Sequence, residues 1–163
     1  MKYDSFNARE TEKLGVLFGG MAKKGNIYTL SGDLGAGKTV LSQGFAMGLG
    51  IREPVSSPTF TIVNEYTSGV MPFYHFDVYR ISDPEEMYEI GLDDYLYGDG
   101  VCLIEWGELI DELLPEETIR IRIEKCPEKG DDYRSITIDE ENRERIPRDS
   151  SDVSKPTGSP HQR

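Results

Sequence analysis

Cysteine is nearly absent from this chain: Cys102 and Cys126 are the two in 163 residues. Two thiols cannot form a disulfide framework or a zinc site of the usual four-ligand kind. Histidine is equally sparse, at two, and no Ser or Cys nucleophile is arranged with His75, which reads as a packed strand residue rather than a catalytic base. Basic residues are outnumbered, 18 Lys and Arg against 30 Asp and Glu, for a net charge of −12. That balance argues against binding bare nucleic acid over the whole surface, because such binding rests on neutralising phosphates. It leaves room for a local basic patch or a basic protein partner. No apolar run approaches the length of a membrane span, and the N-terminus carries no signal-peptide pattern. The expectation is a protein of the reducing cytoplasm with no membrane association.

Against this background one motif stands out. Residues 32 to 39, Gly-Asp-Leu-Gly-Ala-Gly-Lys-Thr, match G-x-x-x-x-G-K-[ST] at every fixed position. Glycines let the backbone curl so that several N–H groups converge on a phosphate chain. Lys38 carries a point charge to the β- and γ-phosphates, and the Thr39 hydroxyl is a ligand for Mg²⁺. The flanks agree. Residues 26–31 form a β-rich run, and Val40, Leu41, Phe45, Ala46 and Met47 follow at helical spacing until Gly48 and Gly50. Strand, glycine loop and helix in that order put an anion at a helix N-terminus.

The rest of the chain reads as one α/β domain, since 163 residues supply a single core of this kind. Leu14, Leu17, Phe18 and Met21 mark an amphipathic helix starting near Asn7. Residues 51–63 are a loop running into a strand, Gly69 marks a hairpin turn, and residues 73–79 are the returning strand. Residues 83–97 form an acidic helix and turn. Residues 101–106 are a buried strand ending in an acid. Ile119, Ile121, Ile123, Ile136 and Ile138 mark two late strands in a β-hairpin. The expected architecture is a P-loop NTPase-like domain over residues 1–140, with a mixed parallel and antiparallel central sheet flanked by helices. Residues 141–163, of mixed charge and rich in Ser and Pro, read as a disordered tail. There is no internal repeat.

A P-loop needs acids that hold Mg²⁺ and orient water. Glu105 closes the most hydrophobic strand, where a carboxylate is costly unless it binds something. Asp77 is the second candidate: it would reach the metal through water, position the attacking water, or pair with Arg80. Thr59 lies where a switch segment would sense the γ-phosphate, or else simply starts a strand. Trp106 is a packing residue, a reporter on the site or a partner contact. The seven acids between Asp83 and Asp99, with no Lys or Arg among them, read as a solvated face suited to a basic surface.

Six segments together, Gly-Asp-Leu-Gly-Ala-Gly-Lys-Thr (32–39), Ser-Pro-Thr-Phe-Thr (57–61), Asn-Glu-Tyr (64–66), His-Phe-Asp-Val-Tyr-Arg (75–80), Gly-Leu-Asp-Asp-Tyr (91–95) and Ile-Glu-Trp-Gly-Glu (104–108), resemble the TsaE (YjeE) family in order and spacing, over roughly residues 5 to 138. The resemblance implies an ATPase required for threonylcarbamoyladenosine at position 37 of tRNAs that read codons starting with A. It implies an accessory role on the TsaD–TsaB complex, with tRNA met only indirectly. By position it implies that Lys38 and the backbone of Gly35, Ala36, Gly37, Lys38, Thr39 and Val40 hold ATP. Thr39 and Glu105 would ligate Mg²⁺, Asp77 would be the acid needed for hydrolysis, and Thr11 would lie near the nucleotide. No arginine finger is evident in cis, so low activity alone and stimulation by the partner are expected. Two other functions fit a P-loop. A small-molecule phosphotransferase would need an arginine-rich lid, and residues 81–99 contain no arginine. A non-hydrolysing nucleotide-dependent scaffold would not need Asp77 and Glu105.

Overall fold

The computed structural model describes residues 1–33 and 35–138. The boundary expected at residue 140 and the tail 141–163 lie outside the described residues. Among the described residues seven strands form one sheet: β1 (Lys2–Ser5), β2 (Ile27–Ser31), β3 (Val63–Tyr66), β4 (Phe73–Asp77), β5 (Val101–Glu105), β6 (Ile119–Lys125) and β7 (Arg134–Ile138), in the spatial order β1-β7-β6-β2-β5-β4-β3. The centre is parallel, with β2 between β6 and β5, and β4 beyond β5. Both margins are antiparallel, β3 on β4 at one side and β7 and β1 at the other. The mixed sheet expected from the two hairpins is therefore present, with a division of labour: β2 and β5, buried on both faces, are the apolar runs, while β6 buries only its isoleucines.

Two helices are long. The first, α1 (Ala8–Met21), begins where Asn7 accepts a hydrogen bond from the Glu10 amide at 2.9 Å, and the Glu10 carboxylate returns one from the Phe6 amide at 2.8 Å. That reciprocal pairing satisfies amides that no helical carbonyl reaches. The second, α2 (Lys38–Gly48), starts at the end of the glycine loop. The two pack on each other through glycines on both sides. A Cβ on Gly15 would stand 2.3 Å from the Leu41 carbonyl oxygen, and one on Gly19 would stand 2.0 Å from that of Phe45. From α2, a Cβ on Gly44 or Gly48 would be as close to the carbonyls of Glu12 and Val16. The seam is backbone on backbone, and it fixes α2, and hence the loop, against α1.

Strand alternation divides the interior in two. Tyr28, Leu30, Phe73, Val101 and Leu103 face α1 and α2, with Leu14, Phe18, Leu41 and Phe45. Ile27, Phe76, Cys102 and Ile104 face the other way, onto Met87, Leu92, Leu96 and Ile110. The latter come from two short helices, α3 (Glu86–Glu89) and α4 (Leu92–Leu96), and from the 3₁₀ segment Gly107–Leu113. The acidic helix expected over 83–97 is thus split, at Gly91 with φ of +79°. The returning strand stops at Asp77 rather than Tyr79. There Asp77 accepts the Tyr79 amide at 3.0 Å, an Asx turn that bends the chain away. Strand β1 was not anticipated; it is four residues long and borrows its partner, β7, from the far end of the domain. Among the described residues no helix is long and apolar enough to cross a membrane.

Candidate functional site

The glycine loop lies where the parallel strands end. Gly37 caps α2 with φ of +106°, a conformation a Cβ disfavours. At Gly32 the constraint is a neighbour: a Cβ would lie 2.4 Å from the Ile123 carbonyl oxygen on β6. The loop is further pinned by Arg134 of β7, whose Nε donates to the Ala36 carbonyl at 2.7 Å. Both side-chain and backbone constraints hold the open coil of the loop in place.

The Lys38 ammonium turns back over this loop. It donates to the carbonyls of Gly32 and, at 3.1 Å, of Asp33, and it lies 4.1 Å from the centre of the Trp106 ring. Burial pulls its pKa below the ordinary lysine value, opposed by the negative charges of Glu105, Glu108, Asp77 and Asp33. Trp106 itself has φ of +63°, so the chain leaves β5 through a left-handed residue. That bend sets the indole between Lys38 and Tyr79, whose ring centre is 4.7 Å away.

Strand parity explains how the acids reach the loop. Asp77 and Glu105 are paired in register at the C-terminal ends of β4 and β5, on the face covered by α2. One cleft is lined by Gly35, Lys38, Thr39, Ser57, Thr59, Asp77, Glu105 and Trp106. Of the residues singled out from the sequence, Gly35, Lys38, Thr39, Thr59, Asp77, Glu105 and Trp106 line it. Ala36 is buried beneath the loop, Gly37 caps the helix and Val40 follows in its first turn. Thr11 is elsewhere in the hydrogen-bond network: it is buried, with its hydroxyl 2.7 Å from that of Ser5. A second cleft on the far side of the loop, also bordered by Trp106, carries Asp33, Arg122 and Lys125.

Asp77 does not form the ion pair with Arg80 that their closeness in sequence suggests. The Arg80 guanidinium lies over the Phe60 ring at 4.7 Å. Asp77 instead accepts from Ser57 and Thr59, each at 3.3 Å, and those hydroxyls are 2.7 Å apart. Thr59 does not open a strand; β3 begins four residues later, after Ile62, which has φ of +72°. A β-branched residue in that region is strained, and its carbonyl takes the Asp77 amide at 2.9 Å. The loop 57–62 is therefore fastened to Asp77 from both sides.

Glu105 is 3% exposed. Its Oε2 lies 2.6 Å from His75 Nε2 and accepts from Ser42 Oγ at 3.2 Å. The sequence reading placed His75 as a packed strand residue, which it is, and missed its contact with Glu105. The signal was available, since His75 is two residues before Asp77 and shares its face of β4. Ser42 was missed as well; it lies one helical turn beyond Thr39. All the side-chain donors at the cleft floor apart from Lys38 are hydroxyl or carboxylate oxygens, a hard set that suits Mg²⁺. Among the described residues no three His, Cys, Asp or Glu side chains form a cation cage.

Comparison with known proteins agrees over the same span. Residues 5–136 match the sequence model of a family described as "Threonylcarbamoyl adenosine biosynthesis protein TsaE". The chain is 51% identical over 138 residues to the tRNA threonylcarbamoyladenosine biosynthesis protein TsaE of Bacillus subtilis, covering 85% of this chain and 84% of the relative. Against the Treponema pallidum protein of the same name it is 41% identical over 138 residues, 85% of this chain and 99% of the relative. The crystal structure of YdiB from Bacillus subtilis superposes with a TM-score of 0.72 at 47% identity, covering 85% of this chain and 83% of that one.

Proposed function

The chain belongs to the TsaE family, and from that premise we propose that it is a Mg²⁺-dependent ATPase serving threonylcarbamoylation of adenosine 37 in tRNAs that read codons starting with A. It acts in the cytoplasm on the TsaD–TsaB complex and does not itself transfer the carbamoyl group. The observation that carries this reading is the meeting of Lys38, Thr39, Asp77 and Glu105 in one cleft at the mouth of the glycine loop.

In this mechanism the loop amides from Gly35 to Val40 and the Lys38 ammonium bind the phosphates. Their positive ends are fixed before the substrate arrives, so little reorganisation accompanies charge migration to the leaving phosphate. Lys38 exchanges its loop carbonyls for phosphate oxygens. Thr39 and Glu105 would hold Mg²⁺, which would supply neutralisation of the charge that develops on the phosphates. Asp77 orients the attacking water, and the Ser57 and Thr59 hydroxyls on its Oδ2 hold the carboxylate in place. Through that contact the loop 57–62 is coupled to hydrolysis. Thr11 is given no contact with the nucleotide, because its hydroxyl is buried against that of Ser5. Arg80 is engaged with Phe60 and supplies no charge to the phosphates, so the activity of the protein alone is low and the partner completes the site.

The test is ATP hydrolysis by the purified protein alone and with the TsaD–TsaB complex. Strong stimulation, abolished by Lys38→Ala, is expected. Equal rates with and without the complex would refute partner activation, and no hydrolysis in either condition would refute the ATPase reading.

A further inference from the structure

Beneath the cleft floor lies a contact that the mechanism above does not use. His75 is 1% exposed, and its ring is nearly parallel to that of Phe73 at 5.8 Å between centres. Its Nε2 meets Glu105 Oε2 at 2.6 Å. A carboxylate oxygen accepts, so Nε2 carries the hydrogen and the imidazole donates. Ser42 Oγ donates to the same oxygen from α2. Both donors thus fall on Oε2, and Oε1 receives none among the described residues. The other ring nitrogen, Nδ1, is buried and has no hydrogen-bond partner among the described residues. An apolar side chain would fill this space without leaving a polar atom unpaired, so core packing does not account for histidine here.

We propose that His75 is a positioning residue for Glu105. It holds Oε2 from the β4 side while Ser42 holds it from the α2 side, which leaves Oε1 as the oxygen free for a cation. Mg²⁺ demands near-ideal octahedral geometry, so a carboxylate that is already oriented binds it more tightly than one free to rotate. The proposal rests on the assignment of Glu105 as a Mg²⁺ ligand.

The experiment titrates Mg²⁺ into the protein with ATP, following Trp106 fluorescence, for the wild type, His75→Leu, His75→Asn, His75→Gln and Glu105→Gln. Glutamine places its amide nitrogen near the Nε2 position and keeps the donor; asparagine is too short and leucine has none. The half-saturating Mg²⁺ concentration is expected to rise about tenfold or more in His75→Leu and His75→Asn and to stay near the wild-type value in His75→Gln. ATP affinity without metal is expected to be unchanged in all three. Circular dichroism reports folding, and should the leucine variant not fold, the two amides decide between themselves. Wild-type Mg²⁺ dependence in His75→Leu and His75→Asn, alongside its loss in Glu105→Gln, overturns the role of His75 and leaves that of Glu105 standing. No change in Glu105→Gln overturns the parent assignment, and this one with it.

Discussion

Replacing Gly19 by alanine tests the seam that holds the glycine loop in place. In isolation the change favours folding, because alanine in a helix interior is better than glycine by about 0.5–1 kcal/mol. The structure reverses the sign. The new Cβ would stand 2.0 Å from the Phe45 carbonyl oxygen, and contact without overlap needs more than an additional ångström. The obstacle is backbone within α2, so relief requires the two helices to part along their length. An overlap this deep against backbone lies at the upper end of the overpacking range, about 2–3 kcal/mol, leaving a net loss of roughly 1–2.5 kcal/mol after the helical gain. For a chain of this size that lowers Tm by roughly 2–10 °C. Gly20, the next residue, is the control: a Cβ there meets nothing closer than the Gly48 carbonyl oxygen at 4.0 Å, so Gly20→Ala is expected to leave Tm unchanged or raise it slightly. Thermal unfolding followed by circular dichroism reads both variants. A Gly19→Ala protein as stable as Gly20→Ala would refute the claim that the seam is rigid.

Other consequences can be checked independently. Asp77→Ala is expected to cut partner-stimulated ATP hydrolysis about 10²-fold or more while nucleotide affinity, read by Trp106 fluorescence, changes little; loss of affinity would contradict the water-orienting role. Trp106→Phe keeps a ring beneath Lys38 and is expected to retain nucleotide binding measured by calorimetry, whereas Trp106→Ala weakens it by about twofold to fivefold, since a cation over an aromatic face contributes about 0.5–1 kcal/mol. Burial pushes the Cys102 thiol from about 9 up to about 12. The unfolded chain therefore releases this proton first, and stability falls as pH rises between those values, by up to about 1.4 kcal/mol per pH unit. Urea unfolding of Cys102→Ala is expected to show a shallower decline over that window than the wild type.

What could be read in advance was whatever repeats or terminates locally. The helix at Asn7 announced itself through a capping side chain and four apolar residues on one face. The glycine loop and β5 were equally plain, because a motif and a four-residue apolar run closed by an acid need no distant information. Glu105 was singled out as the charge that closes β5 and Asp77 as an acid near the end of the returning strand, and both line the cleft with Lys38 and Thr39. What escaped depends on partners remote in sequence. Lys2–Ser5 has no strand signature of its own and is a strand only because β7 offers it an edge. The Asp77–Arg80 pair looked natural at three residues' separation, but the Asx turn at Asp77 sends Arg80 to Phe60. His75 needed the register of β4 on β5, and Ser42 the orientation of α2, before either could be placed on Glu105.

The pairing of β1 with β7 carries a consequence for biosynthesis. Tyr3 lies opposite Ile136, and the Met1 amine donates to the Ile138 carbonyl at 2.9 Å. On a ribosome β1 emerges well before its partner β7 and must wait for it, and β2 likewise waits for β5 and β6. Contacts this distant along the chain close slowly. A nascent chain that pauses before residue 134 presents Lys2–Ser5 and the outer edge of β6 with open hydrogen-bonding groups, ready to pair with whatever strand comes near. Translation speed over the last few dozen codons of this domain thus governs how long the growing chain is exposed to aggregation.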